Sequence, residues 1–255
     1  MNLLAIDGIE RAFYGLHALS GVSFGVAAGT ITGLIGPNGA GKTTLFNVVS
    51  GMIRADRGRV TFDGRDITRW PSHARAGAGL VRSFQVARGF PRLTVLENLM
   101  LYAPGNPGET VRGAILPGHA ARDVEARVRA DALRVAERLR LTDVADKLAA
   151  ELSGGQKKLL EIGRAIMARP KMILLDEPAA GVNPSLTRVI AGHIRDLAAE
   201  GMTVLIIEHD MELVRDLCDP VIVMAEGRTL VEGTFAAVTA DARVQEAYLG
   251  KRAWH

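Results

Sequence analysis

The sequence "GPNGAGKTT", residues 36–44, follows the short apolar run "ITGLI" and decides the fold of this chain. It contains the pattern G-x-x-x-x-G-K-[ST] between a predicted strand and a predicted helix, as the mechanism of that pattern requires. Glycines let backbone N–H groups turn toward phosphate oxygens, and the helix N-terminus adds a partial positive charge. The pattern predicts a loop that binds nucleotide phosphates. Its expected contacts are Gly36, Pro37, Asn38, Gly39, Ala40, Gly41, Lys42, Thr43 and Thr44.

Two side chains of this loop have predicted chemical roles. The Lys42 ammonium is expected to reach the β- and γ-phosphates, and the Thr43 hydroxyl is expected to bind Mg²⁺. The structural alternative is a glycine-rich turn with a surface lysine. The strand-loop-helix context favours the phosphate-binding loop over that alternative.

A phosphate-binding loop needs a metal-binding acid at the end of a neighbouring strand. Asp176 follows the apolar run "MILL", so it is expected where a buried strand reaches the ligand-binding edge of the sheet, and Glu177 comes next. Of two adjacent carboxylates at this edge, one can bind the metal and the other can polarise water. The alternative interpretation is a pair of solvated acids in a turn.

The composition excludes several classes of protein. The 255 residues suit one sizeable domain, and the net charge of +3 permits, without favouring, a nucleic-acid or membrane-surface partner. Aromatic residues make up only 5%, which argues against stacking platforms for single-stranded nucleic acid. Cys218, the only cysteine, is expected to be a small core residue, so no internal disulfide is possible.

No segment of the sequence is predicted to enter a membrane. The start "MNLLAIDGIE" does not resemble a signal peptide. The longest apolar runs fall far short of the roughly 20 residues that a spanning helix needs. We therefore expect a protein that is soluble or attached to a membrane through a partner.

The order of predicted elements indicates an α/β fold. The first quarter reads as short strands bounded by glycine, and a helix is expected in "KTTLFNVVSG", ending at Gly51. After Gly154, strands such as "MILLD", "TVLIIEH" and "PVIVMAEG" alternate with predicted helices. This alternation is typical of a parallel sheet with crossover helices.

The middle of the chain has a helical pattern. Val124, Val128, Ala132, Val135 and Leu139 recur at helical spacing among arginines, which predicts an amphipathic surface helix. The segment before it, "APGNPGETVRGAILPGHAA", is rich in glycine and proline and is interpreted as a loop or insertion.

The motif "LSGGQ", residues 152–156, makes the prediction more specific. Together with the phosphate-binding loop and the paired acids, it resembles the nucleotide-binding subunit of an ABC transporter. Ser153 is suited to cap the following helix, and the glycines allow a second phosphate to approach. In that family two subunits face each other head to tail, and each signature closes over the ATP of its partner. The resemblance assigns this role to Ser153, Gly154, Gly155 and Gln156.

The resemblance covers nearly the whole chain and implies its architecture. It implies a P-loop NTPase (RecA-like) core with an N-terminal antiparallel β subdomain and an inserted α-helical signature subdomain. We expect a single ABC ATPase domain over residues 1–255. The core would comprise residues 1–85 and 155–255, and the helical subdomain residues 86–154.

Further site residues follow from the order of the family's motifs. Gln85, in "VRSFQ", matches the glutamine that joins the metal site, and His209, in "IIEHD", matches the switch histidine that contacts the γ-phosphate. Phe13 aligns with the aromatic residue that stacks on adenine, and its neighbour Tyr14 is the alternative. With these residues, the resemblance implies binding of ATP and Mg²⁺. Asp176, Thr43 and Gln85 would bind the metal, Glu177 would act as general base, and Lys42 and His209 would stabilise phosphoryl charge.

Several segments together resemble one subfamily. Asn183 stands where many members of the family have aspartate. This weakens any argument that a carboxylate in this loop couples the two ATP sites of the dimer. With "VRSFQ", the glycine- and proline-rich insertion, "EHDM" and "AYLG", it is similar to the larger ATPase subunit of the high-affinity branched-chain amino acid importers. Related subunits drive the uptake of urea, amides or aromatic acids, and the lipopolysaccharide-export ATPase has a similar core.

The implied partners follow from that subfamily. They are ATP, two transmembrane permease subunits, a second ATPase subunit and, indirectly, an external solute-binding protein, at the cytoplasmic face of the inner membrane. The permeases would dock on "ARGFPRLTVLENL", with Phe90 and Leu93 as contacts. The sequence does not distinguish a homodimer from a heterodimer and does not identify the solute.

Other functional classes fit the sequence less well. A soluble ABC ATPase of the ribosomal type usually has two ATPase halves in one chain, and the DNA-repair type has a long coiled coil before the signature. A simple P-loop kinase or GTPase would not need "LSGGQ". We therefore expect an ATPase that is coupled to transport and has no nucleic-acid partner.

Overall fold

The computed structural model describes residues 2–82, 90–104 and 119–249 of the chain. Contacts divide the chain into two units. The first unit comprises residues 1–82, 171–180 and 187–255, and the second comprises residues 83–170 and 181–186.

The described strands all belong to the first unit. They form a four-stranded antiparallel sheet in the order β2-β1-β4-β5 and a six-stranded sheet in the order β10-β9-β3-β8-β7-β6. The strands are β1 (Asn2–Phe13), β2 (Leu16–Ala27), β3 (Ile31–Ile35), β4 (Arg57–Phe62), β5 (Arg65–Asp66), β6 (Leu80–Arg82), β7 (Met172–Asp176), β8 (Thr203–Ile207), β9 (Val221–Ala225) and β10 (Arg228–Gly233).

The six-stranded sheet has a parallel core, as the sequence predicted. β3 pairs in parallel with β8 and β9, β7 with β8, and β6 with β7, whereas β10 is antiparallel to β9. Every residue of β3, β7 and β8 is buried, which explains why these strands read as continuous apolar runs. Because parallel strands end at the same edge, the loops that follow β3, β7 and β8 lie together there.

Helices lie in both units. α1 begins directly after the phosphate-binding loop, and α6 begins in the second unit and continues into the first. The helices are α1 (Lys42–Val49), α2 (Ser72–Gly77), α3 (Val95–Met100), α4 (His119–Arg138), α5 (Gly154–Met167), α6 (Pro184–Ala199), α7 (Met211–Leu217), α8 (Phe235–Ala240) and α9 (Ala242–Leu249).

The second unit has its own apolar core around α3, α4 and α5. The predicted face of α4 is turned to the interior: Val128 and Ala132 are buried, and so is Leu139 directly after the helix, whereas Val124 and Val135 are partly buried. Gly163 lets α5 approach its neighbours, since a Cβ at this position would lie 2.7 Å from Leu99 Cδ2. Substituting a larger residue there would force these helices apart.

Cys218 is a core residue of the first unit, as predicted. Its side chain is buried, and burial raises the pKa of the thiol to about 12. A thiol held in the neutral form has little nucleophilic character, so this cysteine is structural.

A buried arginine closes the carboxyl end of α1. The Arg75 side chain is only 2% exposed and donates hydrogen bonds to the carbonyl oxygens of Val48, Val49, Trp70 and Thr68 at 2.7–3.0 Å. The last carbonyls of a helix have no partner within the helix and carry partial negative charge, so a cation stabilises them. Burial lowers the pKa of Arg75 to about 10, and its four carbonyl partners compensate for part of that cost.

We predict that Arg75→Met lowers the free energy of unfolding by about 2–4 kcal/mol, because several buried carbonyl groups lose their donor. The measurement is urea unfolding followed by circular dichroism. Arg69→Met is the matched control, since Arg69 is exposed, and we expect it to change stability by less than about 0.5 kcal/mol. An equal effect of the two substitutions would contradict the capping role of Arg75.

Candidate functional site

The phosphate-binding loop passes close to neighbouring backbone at two of its glycines. A Cβ on Gly36 would lie 2.0 Å from the carbonyl oxygen of Met224, and one on Gly41 would lie 2.5 Å from that of Ala18. Gly41 also has a φ of 97°, a conformation that side chains disfavour. The fold therefore requires glycine at both positions, independently of any contact with phosphate.

The Lys42 side chain lies across this loop. It is buried, and its ammonium donates hydrogen bonds to the carbonyl oxygens of Gly36 at 2.7 Å and Pro37 at 3.1 Å. Gly41, the N-cap of α1, provides no side-chain hydrogen bond to the first turn of the helix. A helix N-terminus and a lysine ammonium at one place form a site for an anion such as a phosphate group.

A cavity of about 510 Å³ opens in front of the loop. It brings the loop together with the predicted aromatic, acid and histidine residues, all from the first unit. His17, which the sequence analysis did not assign, also lines it. The lining residues are Phe13, Leu16, His17, Ala18, Asn38, Gly39, Ala40, Gly41, Lys42, Thr43, Thr44, Glu177 and His209.

Glu177 and His209 face each other in this cavity. The His209 Nε2 atom lies 2.9 Å from the Glu177 Oε1 atom, and both side chains are partly exposed. Glu177 has a φ of 50°, an uncommon conformation for a residue with a side chain. Its backbone N–H donates to the carbonyl oxygen of Ile207 at 2.9 Å, which ties the start of this loop to β8. The sheet edge thus places a carboxylate and an imidazole in hydrogen-bonding contact beside the phosphate-binding loop.

Asp176 lies at the buried end of β7, where the sequence placed it. Its Oδ2 atom accepts a hydrogen bond from the Arg82 guanidinium at 2.8 Å. Its Oδ1 atom is buried and has no hydrogen-bond partner among the residues that the structure describes. A buried carboxylate oxygen without a partner is unfavourable, and a bound cation would compensate it. The donor set fits Mg²⁺, which prefers carboxylate and hydroxyl oxygens. Gln85, the other predicted metal ligand, lies outside the described residues.

Arg82 belongs to this site and was missed by the sequence analysis. Besides Asp176, it donates to Asn47 Oδ1 at 2.5 Å, and its guanidinium lies 5.7 Å from the centroid of the Phe46 ring. It therefore connects β6, α1 and the acid of β7. No sequence pattern indicates this contact, because nothing in the three-residue strand β6 shows that it pairs with β7.

Phe13 and Tyr14 differ in position. Phe13 lines the cavity, whereas Tyr14 is fully exposed and is not among the lining residues. The Arg11 guanidinium lies 4.7 Å from the centroid of the Phe13 ring and pairs with Asp56 at 2.6 Å. Of the two aromatic candidates, Phe13 is therefore the one whose side chain lines the cavity.

The signature motif lies in the second unit, at the start of α5. Ser153 Oγ accepts a hydrogen bond from the Gln156 N–H, and the Gln156 side chain accepts one from the Ser153 N–H. This reciprocal capping matches the predicted role of Ser153. A Cβ on Gly155 would lie 2.2 Å from Leu186 Cδ2, so the close approach of that side chain favours glycine.

Asn183 has a local structural role. Its Oδ1 atom accepts a hydrogen bond from the Leu186 N–H at 2.9 Å, at the start of α6. An asparagine side chain in this position satisfies one of the free N–H groups of the first turn. The amide therefore caps the helix that follows it.

Comparisons with known proteins agree with this geometry. A family model described as "ABC transporter" matches residues 19–180, and one described as "Branched-chain amino acid ATP-binding cassette transporter" matches residues 228–253. The probable branched-chain amino acid transport ATP-binding protein LivG of Archaeoglobus fulgidus is 42% identical over 98% of this chain and 96% of its own length. The lipopolysaccharide export system ATP-binding protein LptB of Haemophilus influenzae is 37% identical over 99% of both chains.

A solved structure has the same fold. The crystal structure of a nucleotide-free ATP-binding cassette from an ABC transporter matches with a TM-score of 0.84 and 41% identity, covering 97% of this chain and 99% of the other. The P-loop NTPase architecture that the sequence predicted is thereby confirmed. The chain belongs to the ABC transporter family, as an ATP-binding subunit that hydrolyses ATP.

Proposed function

We propose that this chain drives the import of branched-chain amino acids or related small polar solutes, as one of two ATPase subunits on a membrane permease. The observation that supports the ATPase part most directly is the cavity that joins the phosphate-binding loop to the Glu177–His209 pair. Support for the solute class comes from the named relative in Archaeoglobus fulgidus and from the matching family model for residues 228–253. Lipopolysaccharide export is the alternative, because a relative of that kind is 37% identical.

Different residues of the cavity are proposed to have different roles in ATP hydrolysis. Glu177 is proposed to orient and deprotonate the attacking water, and the contact with His209 at 2.9 Å fixes the direction of its carboxylate. Lys42 and His209 are proposed to stabilise charge on the transferred phosphoryl group. Phe13 is proposed to stack on adenine.

Asp176, Thr43 and Gln85 are the residues that would hold Mg²⁺. Such an ion neutralises charge on the phosphate oxygens when it is bound. The unpartnered Oδ1 atom of Asp176 and the position of Thr43 at the cavity support this assignment.

The signature motif supports a head-to-tail dimer. The described chain has one phosphate-binding loop and one capped helix N-terminus with the sequence "SGGQ", residues 153–156. Such a helix N-terminus is suited to bind an anion. We propose that it contacts the γ-phosphate of ATP bound by the other ATPase subunit.

The proposed permease contact is the segment around Phe90 and Leu93. The Phe90 side chain is 50% exposed, although its backbone is held by both ends of the buried Asn98 amide, at 3.0 and 3.2 Å. An exposed aromatic side chain is typical of the central contacts of a binding surface. Among the described residues, no helix is long and apolar enough to cross a membrane. The permease is proposed to hold the protein at the cytoplasmic face of the inner membrane.

We predict that Glu177→Gln retains ATP affinity within about threefold and lowers kcat at least about 100-fold, because it removes the proposed base. Calorimetry with ATP and a phosphate-release assay measure the two quantities. Lys42→Ala is the contrasting variant, for which we expect the loss of ATP affinity itself. Wild-type turnover of Glu177→Gln would disprove the role of Glu177.

The same Glu177→Gln variant tests the transport proposal. With a tag, and in the presence of ATP, it should be recovered from its native membranes together with two permeases and a second ATPase subunit. The same set of subunits, reconstituted in vesicles with wild-type Glu177 in place of the variant, should then show ATP-dependent uptake of leucine or a related solute. Recovery of a homodimer free of permease, or of ribosomes, would contradict the transport role.

We predict that Arg82→Met lowers the free energy of unfolding by about 3–5 kcal/mol, because it leaves the buried Asp176 carboxylate without its ionic partner. Urea unfolding in EDTA measures this loss, and addition of Mg²⁺ with ATP should recover part of it. The control is the double variant Arg82→Met/Asp176→Leu, which we expect to be more stable than the single variant. A single variant as stable as the wild type would contradict the importance of this ion pair.

We predict that Phe90→Asp abolishes most ATP-dependent transport while the isolated subunit keeps its basal ATPase rate, because the substitution alters only the proposed permease contact. Transport into vesicles and phosphate release measure the two activities. Leu133→Asp is the control, since Leu133 is also an exposed apolar side chain, on α4, and we expect normal transport. Equal transport by the two variants would contradict the docking surface.

A further inference from the structure

Glu208 is a buried carboxylate that the roles above do not use. Its side chain is 4% exposed. The Oε1 atom accepts a hydrogen bond from the Ala179 N–H at 3.1 Å, and the Oε2 atom accepts one from the His209 N–H at 3.1 Å. One carboxylate thus connects the loop after β7 with the loop after β8.

This connection is part of a continuous set of contacts between the two loops. The carbonyl oxygen of Ile207 accepts from the Glu177 N–H at 2.9 Å, and the His209 Nε2 atom lies 2.9 Å from Glu177 Oε1. Residues 207, 208 and 209 therefore each contact the segment from Glu177 to Ala179. Glu208 is the member of this series whose side chain binds backbone on both loops.

The segment that Glu208 holds has an unfavourable backbone conformation. The φ of Glu177 is 50°, and a non-glycine residue in such a region costs on the order of 1–3 kcal/mol unless surrounding contacts fix it. The Ala179 N–H, two residues later, is fixed by Glu208. The position of the Glu177 carboxylate in the cavity therefore depends on two hydrogen bonds to the neighbouring loop. One is from the Glu177 N–H to the carbonyl oxygen of Ile207, and the other is from the Ala179 N–H to Glu208.

The energetics of Glu208 favour one arrangement of the two loops. Burial raises the pKa of the Glu208 carboxyl, and the nearby Glu177 also raises it, whereas the backbone N–H groups of Ala179, His209 and Asp210 lower it. A buried carboxylate is tolerated when such donors surround it and is costly when they move away. Displacement of either loop relative to the other would remove the Ala179 N–H from the carboxylate, so the carboxylate restricts both loops.

We propose that Glu208 is a positioning residue for ATP hydrolysis, which holds the loop after β7 against the loop after β8 and so sets the contact between Glu177 and His209. The proposal rests on the roles of Glu177 and His209 proposed above. Glu208 does not line the cavity, so it acts through those two residues and not on the nucleotide.

The first test is Glu208→Gln. The amide has the same shape, but it presents N–H groups where the carboxylate accepts hydrogen bonds, so one of the two loops loses its anchor. We expect kcat to fall about 10- to 100-fold, because small displacements of catalytic groups have effects of this size. The KM and the Kd for ATP should stay within about threefold, because Glu208 does not line the cavity and its side-chain hydrogen bonds to described residues go to Ala179 and His209. Glu212→Gln, an exposed position on α7, is the control and should retain wild-type kcat.

A double-mutant comparison separates positioning from general stability. In the Glu177→Gln background, Glu208→Gln should lower the residual rate by less than about twofold, since the group that it positions is already gone. An equal fractional loss in both backgrounds would overturn the proposal. So would wild-type kcat of the single variant Glu208→Gln. If Glu177→Gln itself retained full turnover, the proposed function of the cavity would fail instead.

Amide hydrogen exchange of the wild-type protein gives a test that does not depend on folding of a variant. The Ala179 N–H should exchange at least about 100-fold more slowly than an unstructured peptide amide, because it is hydrogen-bonded to a buried carboxylate. Exchange of the Ala179 N–H at the unstructured rate would overturn the proposal even if Glu208→Gln did not fold.

Discussion

The functional site depends on the parallel register of β3, β7 and β8. Ile173 pairs with Val204 and Ile31 pairs with the same residue from the other side, so the three strands end at one edge of the sheet. The phosphate-binding loop follows β3, Asp176 ends β7 with Glu177 directly after it, and His209 follows β8. A shift of register by one residue would turn each strand's side chains to the opposite face and separate these groups. The buried apolar faces of the strands resist such a shift.

Several charged side chains are buried at the sheet edge that carries the functional site. Lys42, Arg82, Asp176 and Glu208 are all largely buried there. Each has polar partners in the same network, either backbone groups or a side chain of opposite charge. Burial makes these interactions strong, and it also makes them costly to disturb. The same burial therefore strengthens the interactions of the site and makes the site sensitive to substitution.

In parts of the molecule outside the functional site, buried polar side chains also bind irregular backbone. In the first unit, Arg75 binds carbonyl groups at the end of α1. In the second unit, Asn98 binds both backbone groups of Phe90. Neither role was predicted, because a single arginine or asparagine in a helical pattern usually indicates a surface residue. Burial alone, which the sequence does not report, distinguishes these residues from their exposed neighbours.

The sequence by itself determined the parallel α/β core, the phosphate-binding loop and the position of Asp176, since these depend on local spacing and apolar runs. It also indicated the family, through motifs short enough to be read from neighbouring residues. Only the tertiary structure decided that Arg82 pairs with Asp176, that Phe13 lines the cavity while Tyr14 does not, and that Glu208 joins two loops. These contacts connect residues far apart in the chain, and their geometry follows from how strands pair and pack, which no local pattern encodes.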